Sequence, residues 1–344
     1  MTSKTIDNIV WFIPSRKLRD NIRDYMNFTY NKINEINKPI RAWDGAIHFR
    51  KEIKNDANFY QKYLNLIKNL DKESVEIVIG ILSKITNYNN IDEPVYFSQS
   101  QSQKIKKLSE EYNNKIIKIN EELFIYDKYI LPENNFELEA FYGKYGKDYV
   151  KNLNQVKNKN IIDAGAYIGD SAILFSYYTD KNIYSFEPFL QNYNLMLKTI
   201  ELNKKNNIIP VNMALGSENK GISIYSNSDT ANSGLSVETK QSDINSFENK
   251  VKMVTLDSYV KENNIEVGLI KTDLEGFEQP FLKGAIETIK EQKPVLIISI
   301  YHNYSDFFEI KPMIENLNLG YKFKIIEPKA PESAVVSTLL FAEV

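Results

Sequence analysis

The sequence predicts an α/β protein: a doubly wound, mostly parallel sheet with one antiparallel edge strand, preceded by a helical N-terminal region. Three observations carry this. Beyond residue 160, short apolar runs alternate with helical stretches, the order that builds a parallel sheet. The run Ile161-Ile162-Asp163-Ala164-Gly165-Ala166-Tyr167-Ile168-Gly169 ends an apolar strand on an acid and a glycine-bearing turn, and the next strand, Ile183-Tyr184-Ser185-Phe186, ends on Glu187. The chain closes on two strands, Tyr321 to Ile326 and Ser337 to Ala342, with no helix between them. Strands joined without a crossover pair antiparallel, which reverses one edge strand.

Residues 1–113 carry mostly helical signals. Arg16 to Ile36 spaces Leu18, Ile22, Tyr25, Met26, Tyr30 and Ile33 by threes and fours, as an amphipathic helix does. Phe59 to Leu70 and Lys72 to Ile85 repeat the pattern, Asn87 to Glu93 breaks it, and Lys104 to Tyr112 resumes it with more charge. From Lys115 the texture changes, and Ile116 to Ile119 and Leu123 to Tyr126 read as short strands. The expected boundary therefore divides a helical region, 1–113, serving acceptor binding or oligomerisation, from an α/β domain over 114–344. Within that domain the order is strand 161–164, helix 169–178, strand 183–187, helix 189–203 and strand 208–213. A hairpin of Ile222 to Tyr225 with Leu235 to Val237 follows, then strands Val251 to Leu256 and Leu269 to Thr272. A helix over Gln279 to Lys290, the most hydrophobic strand, Val295 to Ile300, placed centrally, and a helix over 308–317 precede the terminal pair.

Composition narrows the function classes. A formal charge of −2 gives no field for gripping a polyanion, so Lys104-Ile105-Lys106-Lys107 reads as a solvated helix face and nucleic acid is not an expected partner. With 0 Cys there is no disulfide framework, thiolate metal site or cysteine nucleophile. Ile9 to Ile13 is too short for a signal-peptide core, and the longest apolar run, Val75 to Leu82, falls far short of a membrane span. The expected location is the cytoplasm, with peripheral association at the inner face of a membrane left open.

The glycine turn separates two nucleoside ligands. A dinucleotide fingerprint requires Gly where Tyr167 stands. The form Asp163-x-Gly165-x-x-x-Gly169 suits S-adenosylmethionine, which needs close backbone but brings no pyrophosphate. Asp163 would meet the donor's amino end or the loop amides, and Glu187 would accept both ribose hydroxyls. Asp170 or Ser171 reads as a helix cap, and Phe189 lies either beside the adenine or in the core. At the end of the third strand, Asn212 or the Met213 backbone would reach the adenine edge. A second cluster, Lys271-Thr272-Asp273-Leu274-Glu275-Gly276-Phe277-Glu278, puts three acids at the ligand-binding edge of the sheet. It lacks any dedicated cage spacing, so no metal is assigned to it. His302, one of 2 His, falls past the end of the strand Val295 to Ile300. Either His302 or Asp273 would serve as general base toward an acceptor hydroxyl.

Taken in order, D-A-G-A-Y-I-G, F-E-P, T-L-D, K-T-D-L-E-G-F-E with L-K-G-A, and I-Y-H resemble an FkbM-type S-adenosylmethionine-dependent methyltransferase over roughly residues 120–344. The resemblance implies a class I methyltransferase fold, S-adenosylhomocysteine as product, and O-methylation of a sugar or polyketide hydroxyl. That family commonly has Asn where Tyr167 stands. Ile9-Val10-Trp11-Phe12-Ile13-Pro14 with Lys17-Leu18-Arg19 resembles the N-terminal segment of bacterial surface-polysaccharide enzymes, which tilts the acceptor toward a surface carbohydrate. The reading is an enzyme that methylates a sugar hydroxyl, with homo-oligomerisation left open. N- or carboxyl-methylation on the same fold is the first alternative, and a non-catalytic binding or scaffold protein the second.

Overall fold

The computed structural model describes residues 3–39, 41–43, 45–88, 90–227, 246–327 and 338–344. Its centre is a seven-stranded sheet: β1 (Asn160–Ala164), β2 (Ile183–Phe186), β3 (Ile208–Val211), β4 (Val267–Thr272), β5 (Val295–Ser299), β6 (Lys322–Ile326) and β7 (Leu339–Glu343). The spatial order is β6-β7-β5-β4-β1-β2-β3. Strands β1 to β5 pair in parallel, and β7 runs antiparallel to both β5 and β6.

The expected fold class holds, and two positions in the sheet are corrected. The antiparallel strand is not the edge: β7 lies one place in and β6 forms the edge. Burial explains the choice. Every residue of β7 is buried, whereas β6 opens on exposed Lys322, and a lysine-bearing strand is suited to an unpaired edge. The middle strand is β4, not the more hydrophobic β5, which is flanked by β4 and β7.

Both faces of the sheet are covered, which is why its strands read as continuous apolar runs. Successive residues alternate between two cores: Ile161, Leu269, Ile297 and Phe341 face one, and Ile162, Ile270, Ile298 and Leu340 the other. The strands Ile117–Asn120, Leu123–Tyr126 and Tyr129–Leu131 form a small antiparallel sheet that leads into the first of these cores.

The helices expected in the N-terminal region are present: Arg16–Asn37, Phe59–Ile67, Lys72–Thr86 and Gln99–Asn113. The last begins earlier than its charged core suggests, because Ser98 and Gln101 form a capping box. Two further helices, Ser3–Val10 and Ala46–Asn55, and the pairing of Arg41–Trp43 with Val95–Tyr96 were not foreseen. Phe49, Leu66, Val78 and Ile81 enter the same core as Phe307, Phe308, Ile325 and Leu340. Phe49 meets Tyr304 and Phe307 edge-on at ring distances of 5.4 and 5.5 Å. The boundary expected at residue 113 therefore runs through one continuous core.

Three local expectations change. Ile222 to Tyr225 belongs to a longer strand, Lys220–Asn227, whose partner is Ser246–Val254; Leu235 to Val237 lies outside the described residues. The partner is set by packing, since Ile222, Ile224, Val251 and Met253 share one small core. The helix over Gln279 to Lys290 is two, Glu278–Lys283 and Ile286–Gln292, broken at Gly284. A Cβ on Gly284 would stand 2.0 Å from the Gly216 carbonyl oxygen, so the backbones touch there. The helix over 308–317 starts at Tyr304, where Asn303 accepts from the Asp306 amide at 2.8 Å. Among the described residues no helix is long and apolar enough to cross a membrane.

Candidate active site

Strand order reverses between β4–β1 and β1–β2, and the carboxyl ends of these strands frame a cavity, the usual ligand position in open α/β sheets. Five carboxylates line it, those of Glu137, Asp170, Glu187, Asp273 and Glu275, against the single ammonium of Lys271 among the described lining residues. Tyr145, Tyr167 and Phe189 supply aromatic wall.

The turn after β1 is fixed by its neighbours. Gly165 has φ +77°, and a Cβ there would lie 1.9 Å from the Asp273 carbonyl oxygen. The demand for glycine thus arises from the β4 loop as much as from any ligand. Gly165→Ala should destabilise the fold by about 2–4 kcal/mol, through a positive φ and an overlap with fixed backbone. An unchanged denaturation midpoint would contradict that close approach. Gly169, at φ +85°, packs against Met196, with a Cβ there 3.0 Å from Met196 Cγ, and does not border the cavity. Its role is the left-handed entry to helix Asp170–Phe175. Tyr167, a non-glycine at φ +46°, does border the cavity. Its hydroxyl is raised to about 12 by burial and by the carboxylates of Glu133 and Asp170.

Asp163 does not meet the cavity as expected. It is 0% exposed, its Oδ2 accepts from Ser171 Oγ at 2.7 Å, and its Oδ1 stands 3.3 Å from Lys271 Nζ. Lys271 also donates to the Gly165 carbonyl at 2.8 Å, so the pair anchors the glycine turn to β4. The acid that takes the cavity position is Asp170, read from sequence only as a helix cap. Burial raises it to about 6 despite the opposing charge of Lys271. Glu137 had no sequence signal at all, for it lies well before the glycine turn, at the extended N-cap position of a separate short helix, Leu138–Phe141. Glu137 is exposed on its outer side, yet desolvation at the cavity wall, with the charges of Asp170 and Asp273 behind it, pushes its carboxyl upward.

Glu187 is where the sequence placed it. Only 4% exposed, it accepts from the Tyr167 amide through Oε2 and the Phe189 amide through Oε1, both at 2.9 Å. Burial nevertheless raises it to about 7, with those amides pulling the other way. Asn212 and Met213 do not reach the cavity. The Asn212 amide donates to the carbonyls of Glu187 and Pro188 at 2.9 and 3.1 Å, and the Met213 amide to Val211 at 3.0 Å. They brace the strand end behind Glu187.

The second cluster closes over His302. Nε2 stands 3.2 Å from Asp273 Oδ1 and 3.7 Å from Glu275 Oε2, while Nδ1 stands 3.0 Å from Glu278 Oε1. Tyr301 donates to Asp273 Oδ1 at 3.2 Å, and buried Glu278 also accepts from the Leu274 amide at 2.7 Å. Burial alone would lower His302, but Asp273 and Glu278 outweigh it and raise the ring to about 11. Surrounded in this way the imidazole is biased toward its charged form, unless a metal cation takes the place of the Nε2 proton. That bias works against the general-base role expected of His302. Asp273 stays ionised: burial pushes it up, but His302 and Lys271 hold it at about 2.

Residues 163–323 match the family model described as the methyltransferase FkbM domain. The crystal structure of methyltransferase FkbM from Methylobacillus flagellatus KT is similar at a TM-score of 0.51 and 17% identity, covering 85% of this chain and 60% of that one. The chain thus spans about 60% of the length of that relative. M. jannaschii tRNA m1G37 methyltransferase is similar at a TM-score of 0.36 and 16% identity, over 66% of this chain and 58% of that one. M. jannaschii TYW2 in complex with AdoMet stands at 0.35 and 15%, over 67% and 89%. No curated relative matches the chain. The domain match makes residues 163–323 similar to the FkbM methyltransferase domain, and the strand order of the sheet agrees with that fold.

Proposed function

We propose that the protein transfers a methyl group from S-adenosylmethionine to a sugar hydroxyl of a bacterial surface polysaccharide or its precursor, in the cytoplasm. The observation that supports the donor best is the charge of the cavity. Five carboxyl groups facing one ammonium suit a ligand that carries a sulfonium and an α-ammonium, whose positive charge would favour their ionised forms against the protonation that burial promotes, and they oppose a pyrophosphate. An ionised carboxylate has about four acceptor sites. The Tyr167 and Phe189 amides and, at 3.4 Å, the Asn192 side-chain amide take three of those on Glu187, so one ribose hydroxyl would find a free site and its neighbour would displace the long Asn192 contact. Asp170 and Glu137 stand on the acidic wall, suited to the methionine ammonium.

In the reaction the acceptor oxygen attacks the methyl carbon in line with the breaking C–S bond, and sulfur keeps the bonding pair. Holding the two reactants in that geometry contributes on the order of 7–11 kcal/mol in favourable cases. The hydroxyl becomes strongly acidic as the O–C bond forms, so a weak base suffices, and ionised Asp273, which lines the cavity just past β4, would take the proton. The sulfonium charge disappears, which a partly apolar wall of Tyr145, Tyr167 and Phe189 favours. The N-terminal helices leave Trp11 71% and Phe12 84% exposed, a surface suited to stacking on an acceptor sugar or to a second subunit.

The test is transfer of labelled methyl from S-adenosylmethionine into the surface glycan, read by mass spectrometry with and without the protein. A methyl ether present only with the protein is the expected result. An unchanged glycan, with label appearing on amines or carboxylates instead, would replace the sugar reading.

A further inference from the structure

We propose that His302 Nε2, Asp273 and Glu275 form a divalent-metal site at the lip of the cavity, with Glu278 fixing the opposite ring nitrogen. The role of the ion rests on the reading above; the site itself rests on geometry. Donor atoms held about 2.1 Å from one ion stand roughly 3 Å apart when adjacent. The 3.2 and 3.7 Å separations of His302 Nε2 from Asp273 Oδ1 and Glu275 Oε2 are near that spacing.

A second observation is independent of the acidic cluster. His302 is only 7% exposed, and neither ring nitrogen makes an aligned hydrogen bond, nor does Glu278 Oε2. Buried polar atoms in that state are costly and call for a partner, such as an ion. The backbone adds a third. Glu275 is a non-glycine residue at φ +52°, followed by Gly276 at φ +93°. Such strain persists where the surroundings impose it, and here it keeps the Glu275 carboxylate near the imidazole.

The two sides of the ring divide the work. Glu278 is 0% exposed and already tied to the Leu274 amide, so at 3.0 Å from Nδ1 it orients the imidazole as an outer carboxylate does in metal sites. Asp273 and Glu275 line the cavity, so the open positions of an ion at Nε2 face the reacting groups. Mixed imidazole and carboxylate donors suit Mn²⁺ better than an all-oxygen preference such as that of Mg²⁺. A divalent ion there would take the place of the Nε2 proton and would supply Lewis acidity to the acceptor hydroxyl.

Chelator-treated protein titrated with MnCl₂, with free Mn²⁺ read by electron paramagnetic resonance, tests the site. One ion per chain should bind with micromolar affinity. Binding should weaken at least about 10-fold in Glu275→Gln and about 10–100-fold in Glu278→Gln, and be lost in His302→Gln. Glu275 is 55% exposed on its side chain, so that variant keeps the test usable if His302→Gln fails to fold. No binding at millimolar Mn²⁺, or binding unchanged in Glu275→Gln and His302→Gln, overturns the site. S-adenosylhomocysteine binding without Mn²⁺ binding would sink the metal site alone. The converse would sink the donor reading alone.

Discussion

Lys271→Met should destabilise the protein by about 3–5 kcal/mol, the usual cost of leaving one partner of a buried ion pair uncompensated. Lys271 is 3% exposed and Asp163 0%, and Asp163 retains only the Ser171 hydroxyl once the ammonium is gone. The same change frees the Gly165 carbonyl that Lys271 now binds. A second substitution, Asp163→Asn, should recover part of the loss, because it removes the stranded charge. The coupling between the two, read from chemical denaturation of both singles and the double, should exceed about 1 kcal/mol. A single variant that melts with the parent would mean the pair does not anchor the glycine turn.

Glu187→Ala should weaken donor binding by about 100-fold or more while turnover at saturating donor changes little. On the proposed function Glu187 would accept two charge-assisted hydrogen bonds from ribose, worth about 3 kcal/mol or more and made equally before and during methyl transfer. A stability effect of opposite sign accompanies it. Burial raises Glu187 from 4.5 to about 7, so its contribution to stability is fully present below pH 4.5 and lost as pH rises through about 7. Glu187→Gln does not titrate. The stability of Glu187→Gln relative to the parent should therefore climb by about 3 kcal/mol between pH 4 and pH 8. Donor affinity of the parent should rise over the same window, since ribose hydroxyls favour the ionised carboxylate. A relative stability that is flat with pH would show that Glu187 is not held in its protonated form by burial.

Much of the fold was legible because the sheet is buried on both faces. Ile161-Ile162, Leu269-Ile270 and the run Leu296 to Ile298 read as strands whichever core each residue enters. Which member of the terminal pair takes the edge is decided by burial against β5, which no local pattern encodes. The N-terminal helices showed apolar faces in need of a partner, but that Phe49 would pack on Tyr304 and Phe307 is a long-range fact.

The site was legible in its residue types and less so in their directions. Glu187 and Asp273 stand where a strand-end acid was expected to stand. Asp163 and Asp170 are both acids beside the same turn, and only packing reveals that the first is spent on Lys271 and Ser171 while the second faces the cavity. His302 was found by its rarity and its place after a strand. Its ionisation could not be found that way, because it is set by Asp273 just past β4 and by Glu278 on the next helix. Glu137 reaches the cavity from a segment that carries no motif.

Calorimetric titration of the full chain with S-adenosylhomocysteine, and separately with NAD, tests the central claim most directly. The acidic cavity and the free acceptor capacity of Glu187 lead us to expect micromolar binding of S-adenosylhomocysteine, lost in Glu187→Ala, and no heat from NAD. Binding of NAD with no response to S-adenosylhomocysteine would contradict the account.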